Sequence, residues 1–191
     1  MRKLILFNMI TLDGFFEGSG QDISWHQVDE EFNDFAIEQI ETVDTIIFGR
    51  ITYEGMASFW PTPLAMETDP AIAQKMNTVS KIVVSHTLEK ADWNNTRLIK
   101  ENVFEEIARL KQQSGKDLII FGSGNLASTF LQQGLIDEIR VIVNPVVLGA
   151  GTPLFRDIQP LNLTLLKTRT FRNGNVLLYY QPAHPAEDPN V

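Results

Sequence analysis

Apolar residues fall along this chain in two rhythms. Five short runs, Lys3–Met9, Thr45–Phe48, Lys81–Ser85, Leu118–Phe121 and Glu138–Val143, are rich in Ile, Val, Leu or Phe and too short for helices. They lack the polar alternation of a half-exposed sheet, which predicts strands buried on both faces. Between most of them the spacing changes to three and four, the helical period. Asp29 is placed to cap a helix with Phe32, Ala36, Ile40 and Val43 on its apolar side. Asp69-Pro70 opens another, with proline at the first helical position. Asn102 with Glu105 three residues later predicts a capping box for a helix over Val103–Ser114, which Gly115 ends. In DLIIFGSGNLASTFLQQG, residues 117–134, a strand runs into Gly122-Ser123-Gly124 and then into a helix that Gly134 stops.

The pattern changes after residue 144. Leu161–Arg172 and Asn175–Gln181 are strand-like and meet at Asn173-Gly174, a strong signal for a two-residue hairpin. Strand–helix units followed by a hairpin predict an α/β fold: a mixed, mostly parallel sheet with helices on both faces and an antiparallel C-terminal pair. One domain over residues 1–181 accounts for this, with 182–191 (PAHPAEDPNV, three prolines in ten residues) expected to be a flexible tail.

Composition narrows the function classes. A net charge of −8 argues against a nucleic-acid surface, which needs clustered Lys and Arg, although it leaves room for a locally positive site. Zero cysteines exclude disulfides, thiolate zinc sites and a cysteine nucleophile, and fit a reducing compartment. The N-terminal apolar run is short and interrupted by Asp13, so it reads as a first strand rather than a signal peptide. No stretch approaches the roughly 20 apolar residues of a membrane span. A cytoplasmic location is expected.

In an open sheet of this kind ligands bind beyond the C-terminal ends of the parallel strands. Four segments occupy those positions: Thr11-Leu12-Asp13-Gly14, Gly49-Arg50-Ile51-Thr52, Ser85-His86-Thr87 and Gly122-Ser123-Gly124-Asn125-Leu126. The second and fourth are strand–glycine–helix corners, where bare helix N–H groups and the positive dipole end favour an anion. Arg50 adds a group able to clamp a phosphate. Either corner alone is as readily a plain turn. Two at one sheet edge favour a diphosphate-bearing ligand. Gly122–Ala127 also matches G-x-G-x-x-[G/A], yet its position argues against a Rossmann domain. The motif follows about the fourth strand, and the nearest acids, Asp137 and Glu138, open the next strand instead of closing it.

Acid–base candidates are few. Asp29, Glu30 and Glu31 cluster after Trp25 and His26, either as helix-capping charge or as carboxylates near an apolar pocket. His26, His86 and His184 have no i,i+4 partner and no cysteine or clustered acids, so no metal is expected. No G-x-S-x-G is present.

The order ITLDGFF, IIFGRITYEGM, KIVVSHTL and DLIIFGSGNLASTFLQQGLIDEIRVIVNPVVLGAGTPLF resembles the dihydrofolate reductase-like superfamily. It is closest to the reductase domain C-terminal to the deaminase in bifunctional riboflavin-biosynthesis enzymes, and to its stand-alone relatives. The resemblance covers about residues 3–181 and implies a three-layer α/β/α fold. It also implies an NADPH-dependent oxidoreductase acting on a small pterin- or aminopyrimidine-like heterocycle, with NADH not excluded. Gly49, Arg50 and Thr52 match the family's Gly-Arg-x-Thr at the cofactor phosphates, and Ser85 the serine at the adenosine ribose end. Gly122, Ser123, Gly124, Asn125 and Leu126 match the turn under the diphosphate. Thr11, Asp13 and Gly14 fall in the segment covering the nicotinamide. Asp29 or Glu30 matches the carboxylate that follows a tryptophan and holds the pterin in folate reductases.

Two departures qualify the match. Asn125 stands where a basic residue often follows the turn, and Ile51 follows Arg50, which leaves NADPH against NADH open. The deaminase signature H-x-E with P-C-x-x-C is absent. Related domains often pair through sheet edges, which implies a homodimer. A non-catalytic nucleotide-binding protein of the same fold, or an interaction module whose corners bind nothing, are the competing expectations.

Overall fold

The computed structural model describes residues 1–183. In chain order these form β1 (Leu4–Thr11), β2 (Phe15–Glu17), α1 (Glu30–Glu41), β3 (Val43–Gly49), α2 (Arg50–Phe59), α3 (Pro63–Thr68), α4 (Pro70–Thr78), β4 (Ser80–Val84) and β5 (Thr96–Ile99). Then come α5 (Val103–Gln112), β6 (Asp117–Phe121), α6 (Gly124–Gln132), β7 (Glu138–Asn144), β8 (Thr152–Pro153), β9 (Leu163–Thr170) and β10 (Val176–Pro182). The main sheet has eight strands in the order β5-β4-β3-β6-β1-β7-β10-β9. The strands from β5 through β7 run parallel, and β10 is antiparallel to both β7 and β9. β2 and β8 form a separate small antiparallel pair.

The parallel strands inward of the edge strand β5 are buried on both faces, as their unbroken apolar runs require. Along β1 the side chains alternate. Leu4 and Leu6 pack with Ile120, Leu126, Ala127 and Phe130 on the α6 side. Ile5 packs with Ile46, Phe48, Tyr53 and Met76 on the α2 and α4 side. Each fully buried aliphatic side chain here contributes about 1.5–3 kcal/mol by leaving water. Buried Lys81 is satisfied by the carbonyls of Met76 and Val79, both 2.8 Å from its Nζ, at the end of α4. β9 is the opposite case: an edge strand with Leu163, Leu165 and Leu166 exposed.

Several expectations shift. Val43 belongs to β3 and not to the preceding helix, because α1 ends at Glu41 and is capped by Thr42, whose hydroxyl and N–H both donate to Gln39 O. The capping box at Asn102 does not form. Asn102 adopts a left-handed backbone (φ 51°, ψ 37°), its side chain makes no cap bond, and α5 stops at Gln112. β5, β2, β8 and α3 were not expected. The last strand reaches Pro182, and Ala183 N–H donates to Asn162 O at 2.9 Å. The rest of the expected tail, 184–191, lies outside the described residues.

This topology defines where a ligand fits. β3 and β6 are neighbours, yet the chain leaves β3 into α2, on one face, and leaves β6 into α6, on the other. Connections departing to opposite sides of adjacent parallel strands open a crevice at the strands' C-terminal ends.

Candidate active site

Two helix starts line that crevice. Gly49 is the N-cap of α2 and Ser123 the N-cap of α6, and neither helix end has a side-chain cap. Their first N–H groups are left for another acceptor. Ser123 holds a left-handed backbone at φ 61°, an unusual conformation for a residue with a Cβ and one that concentrates at functional turns. The two corners touch. A Cβ built on Gly49 would collide with the Ser123 side chain, so glycine permits this close approach.

Between the corners lies a cleft of about 400 Å³. Gly49, Arg50, Ile51 and Thr52 line one wall, and Ser123, Gly124, Asn125 and Leu126 the other. Phe16 and Glu17 border it from β2, and Val84, His86, Val103 and Phe104 from the β4 and α5 side. Phe104 packs edge-on against Phe130, at 6.0 Å between ring centroids. This gives the cleft an apolar patch beside its two anion-compatible corners. Arg50 is held by Glu54 at 2.8 Å, one helical turn along.

The structure thus brings Gly49, Arg50, Thr52, Ser123, Gly124, Asn125 and Leu126 to one cleft. Gly122 stands just behind it, packed against Thr52. Ser85 does not line the cleft: it is buried, and its Oγ accepts from the N–H groups of Thr87 and Leu88 at 3.2 and 2.9 Å. His86, the next residue, lines it instead.

The three remaining N-terminal candidates serve as a loop clasp. Thr11 is fully buried; its hydroxyl donates to Asp13 Oδ1 at 2.6 Å and accepts from Phe15 N–H at 3.0 Å. Asp13 also accepts from the backbone N–H groups of Leu148 and Gly149, at 3.3 and 2.8 Å. The Thr11 hydroxyl first, then those amides, hold its carboxyl below the usual carboxylate range. Gly14 closes the turn with its N–H on Thr11 O, and its own carbonyl accepts from Leu154 N–H. The segment therefore ties β1 to the loop around β8.

Asp29 is the N-cap of α1, with Oδ1 accepting from Phe32 N–H at 2.9 Å, and Glu30 is exposed in the first turn. Neither borders the cleft. Both follow a segment gripped by two buried asparagines: Asn144 Oδ1 accepts from Gln27 N–H at 3.0 Å, and Asn175 Nδ2 donates to Gln27 O at 2.9 Å. Next to it, His26 Nε2 is buried without a partner. Burial pushes this imidazole down from 6.5 to about 4, against a smaller upward pull from Asp22. A folded-state value below the unfolded one makes stability rise with pH through this group between about 4 and 6.5. Wild type is therefore expected to lose on the order of 2–3 kcal/mol relative to His26→Gln between neutral pH and pH near 4. Urea denaturation of both proteins across that range checks this, and parallel pH profiles would contradict it.

Arg156 lines the cleft and was not anticipated from the sequence. It is 31 positions from Asn125, yet donates to its Oδ1 at 2.8 Å.

The mixed sheet and the crevice at its strand-order reversal define a dihydrofolate reductase-like fold. The chain superposes on dihydrofolate reductase from Enterococcus faecalis, a structure complexed with NADP(H), with a TM-score of 0.65 at 16% identity, over 95% of this chain and 97% of that one. It also superposes on the diaminohydroxyphosphoribosylaminopyrimidine deaminase/5-amino-6-(5-phosphoribosylamino)uracil reductase of Thermotoga maritima with a TM-score of 0.67 at 14% identity, over 95% of this chain and 57% of that one. The RibD C-terminal domain family matches residues 2–177, and the chain belongs to that family. It is similar along nearly its whole length to the YyaP protein of Bacillus subtilis (strain 168): 36% identical over 182 residues, 94% of each chain.

Proposed function

We infer that the protein is an NADPH-dependent reductase that delivers hydride to a small pterin- or aminopyrimidine-like heterocycle. The observation carrying this reading is the pair of uncapped helix starts in contact across one cleft, in a member of this family. The diphosphate of a dinucleotide suits that place. It would accept from the free N–H groups of α2 and α6, with the two helix dipoles and Arg50 offsetting its charge. The neighbouring apolar patch of Val84, Val103 and Phe104 suits a purine ring.

Bound there, the nicotinamide would supply the hydride, two electrons with one proton, to a C=N or C=O carbon of the substrate; a second proton completes the reduction. The chain's part is to bind, orient and enclose. The Asp13 clasp holds the loop between β1 and β2 against residues 148–149, which fixes Phe16 and Glu17 at the cleft border. The solved structures named above support this reading through their own cofactor and reductase activity.

One observation favours a second reading, a nucleotide-binding protein without turnover. Asp29 spends an oxygen on its helix cap and Glu30 is exposed, so neither carboxylate is presented to the cleft. Following NADPH oxidation in the presence of a panel of pterins and aminopyrimidines separates the two. Substrate-dependent oxidation supports the reductase; saturable NADPH binding with no oxidation across the panel supports the binding protein.

A further inference from the structure

Three of the described asparagines are buried: Asn8, Asn144 and Asn175. Asn144 and Asn175 each bind the Gln27 backbone. Asn8 behaves differently. It is only 5% exposed on β1, and its Nδ2 is buried with no hydrogen-bond partner among the described residues. A buried amide donor left unpaired lowers the stability of the fold, because it has given up water and gained nothing in return. A bridging water is a poor substitute here. Strand alternation turns Asn8 to the same face as Leu6 and Ile10, and Val141 stands opposite it on β7. Those aliphatic side chains offer a water no second partner.

The place of this amide points to a ligand. Phe7 pairs with Phe121, the last residue of β6, so Asn8 stands level with Gly122, just behind the cleft. Its face of the sheet is the one α6 covers, and the cluster there includes Phe16 and Leu126, both of which also line the cleft. A carboxamide is planar, uncharged, and both donor and acceptor. The complement of the free Nδ2 is a carbonyl or ring-nitrogen acceptor, and an N–H beside that acceptor would meet Asn8 Oδ1. We propose that Asn8 is a binding residue that receives an amide-type edge of a bound ligand, a neutral group with acceptor and donor side by side. Two parts of the proposed reaction carry such an edge: the carboxamide of a nicotinamide, and the lactam or amidine edge of an aminopyrimidine. The unpaired amide destabilises the empty protein and is satisfied in the complex. This inference rests on the reductase reading of the cleft and adds the residue that orients a reacting ring.

The test joins the stability of the empty protein to ligand titration, using Asn8→Leu, which keeps the approximate shape of asparagine without its polar atoms. Empty Asn8→Leu is expected to melt about 2–6 °C above wild type, because the unpaired donor is gone. NADPH, 2′-phospho-ADP-ribose and 2,4-diamino-6-hydroxypyrimidine are the probes. Affinity for the ligand that carries the edge should fall about tenfold, the range for one hydrogen bond to a neutral buried group. Loss for NADPH without loss for 2′-phospho-ADP-ribose, which lacks the nicotinamide, identifies the nicotinamide as the source of the edge. Loss for the pyrimidine identifies the substrate. Asn8→Ala, smaller than asparagine and free of any clash, repeats the binding comparison. Equal losses for NADPH and its fragment with none for the pyrimidine, or no loss for any probe, would overturn the assignment of Asn8. So would an Asn8→Leu protein less stable than wild type, since the amide would then be structural. A wild type that binds neither NADPH nor its fragment overturns the dinucleotide reading instead. Asn8-dependent binding of the pyrimidine would still uphold this inference in that case, and its absence would end both.

Discussion

Gly124→Asp is expected to abolish cofactor binding. Gly124 opens α6 at the floor of the cleft, where the helix start has no side-chain cap. A carboxylate placed at this first helical position would bring its own negative charge to the helix's positive end and repel a diphosphate. At a separation of about 5 Å and an effective dielectric constant of about 20, each like-charge pair costs about 3 kcal/mol, so affinity should fall at least about a hundredfold. The substitution has a steric component as well. A Cβ on Gly124 would stand 3.0 Å from both Leu154 O and the Phe16 ring, so either neighbour must give by a few tenths of an ångström. Gly124→Ala carries that component without the charge, and should bind far more tightly than the aspartate variant. Isothermal titration of the two variants, with melting curves alongside, reads the difference. Near-normal affinity in a folded Gly124→Asp protein would remove α6 from the cofactor site.

The largest loss of stability is expected for Phe48→Ala. Phe48 is fully buried at the penultimate position of β3, with the rings of Tyr53, Trp93 and Phe121 at 6.5, 6.1 and 6.3 Å. Removing it leaves a cavity that these large rings cannot collapse into cheaply, a change that costs about 3–5 kcal/mol. Gly49 and Arg50 follow directly in the chain, so the same truncation should loosen the first corner and weaken cofactor binding. Tyr53 reports on that coupling, since its hydroxyl accepts from Trp93 N–H at 3.1 Å and pins α2 to the segment before β5. Chemical denaturation should show the lower midpoint with an unchanged slope. A loss below about 1 kcal/mol would mean the aromatic cluster is not the support assigned to it.

What could be read in advance follows physical lines. β1, β3, β4, β6 and β7 were legible because strands buried on both faces are apolar throughout, and these runs are too short for helices. The C-terminal hairpin was legible from Asn173-Gly174, but its turn is not the expected two-residue one: Phe171 N–H donates to Asn175 O and Gly174 N–H to Phe171 O, so Arg172, Asn173 and Gly174 make the loop, with Gly174 alone at positive φ (91°). β5, with sequence TRLI, was not, because a four-residue edge strand shows too little of either period. Asn102 with Glu105 three residues later looked like a capping box; Asn102 does stand at the N-cap of α5, but with a left-handed backbone and no side-chain cap bond, and no local pattern announces this.

The same division runs through the site. Both glycine corners were visible because tight strand-to-helix turns need glycine, and glycine is easy to see. Ser85 and His86 differ by one residue, and only the turn that Ser85 makes with Thr87 and Leu88 decides which of the two meets the cleft. Arg156 was invisible for a different reason. Its place beside Asn125 depends on how the segment through β8 is carried back against β2, with Phe15 paired to Pro153. Long-range pairing of this kind leaves no periodic mark in the sequence.

We propose that the cleft between Gly49 and Ser123 holds a nicotinamide dinucleotide. Titration of NADPH and NADH, followed through the fluorescence of Trp25, Trp60 and Trp93, tests it most directly. Saturable binding of NADPH in the micromolar range, lost in Gly124→Asp, is the predicted result. No saturable change with either dinucleotide up to millimolar concentration would contradict it.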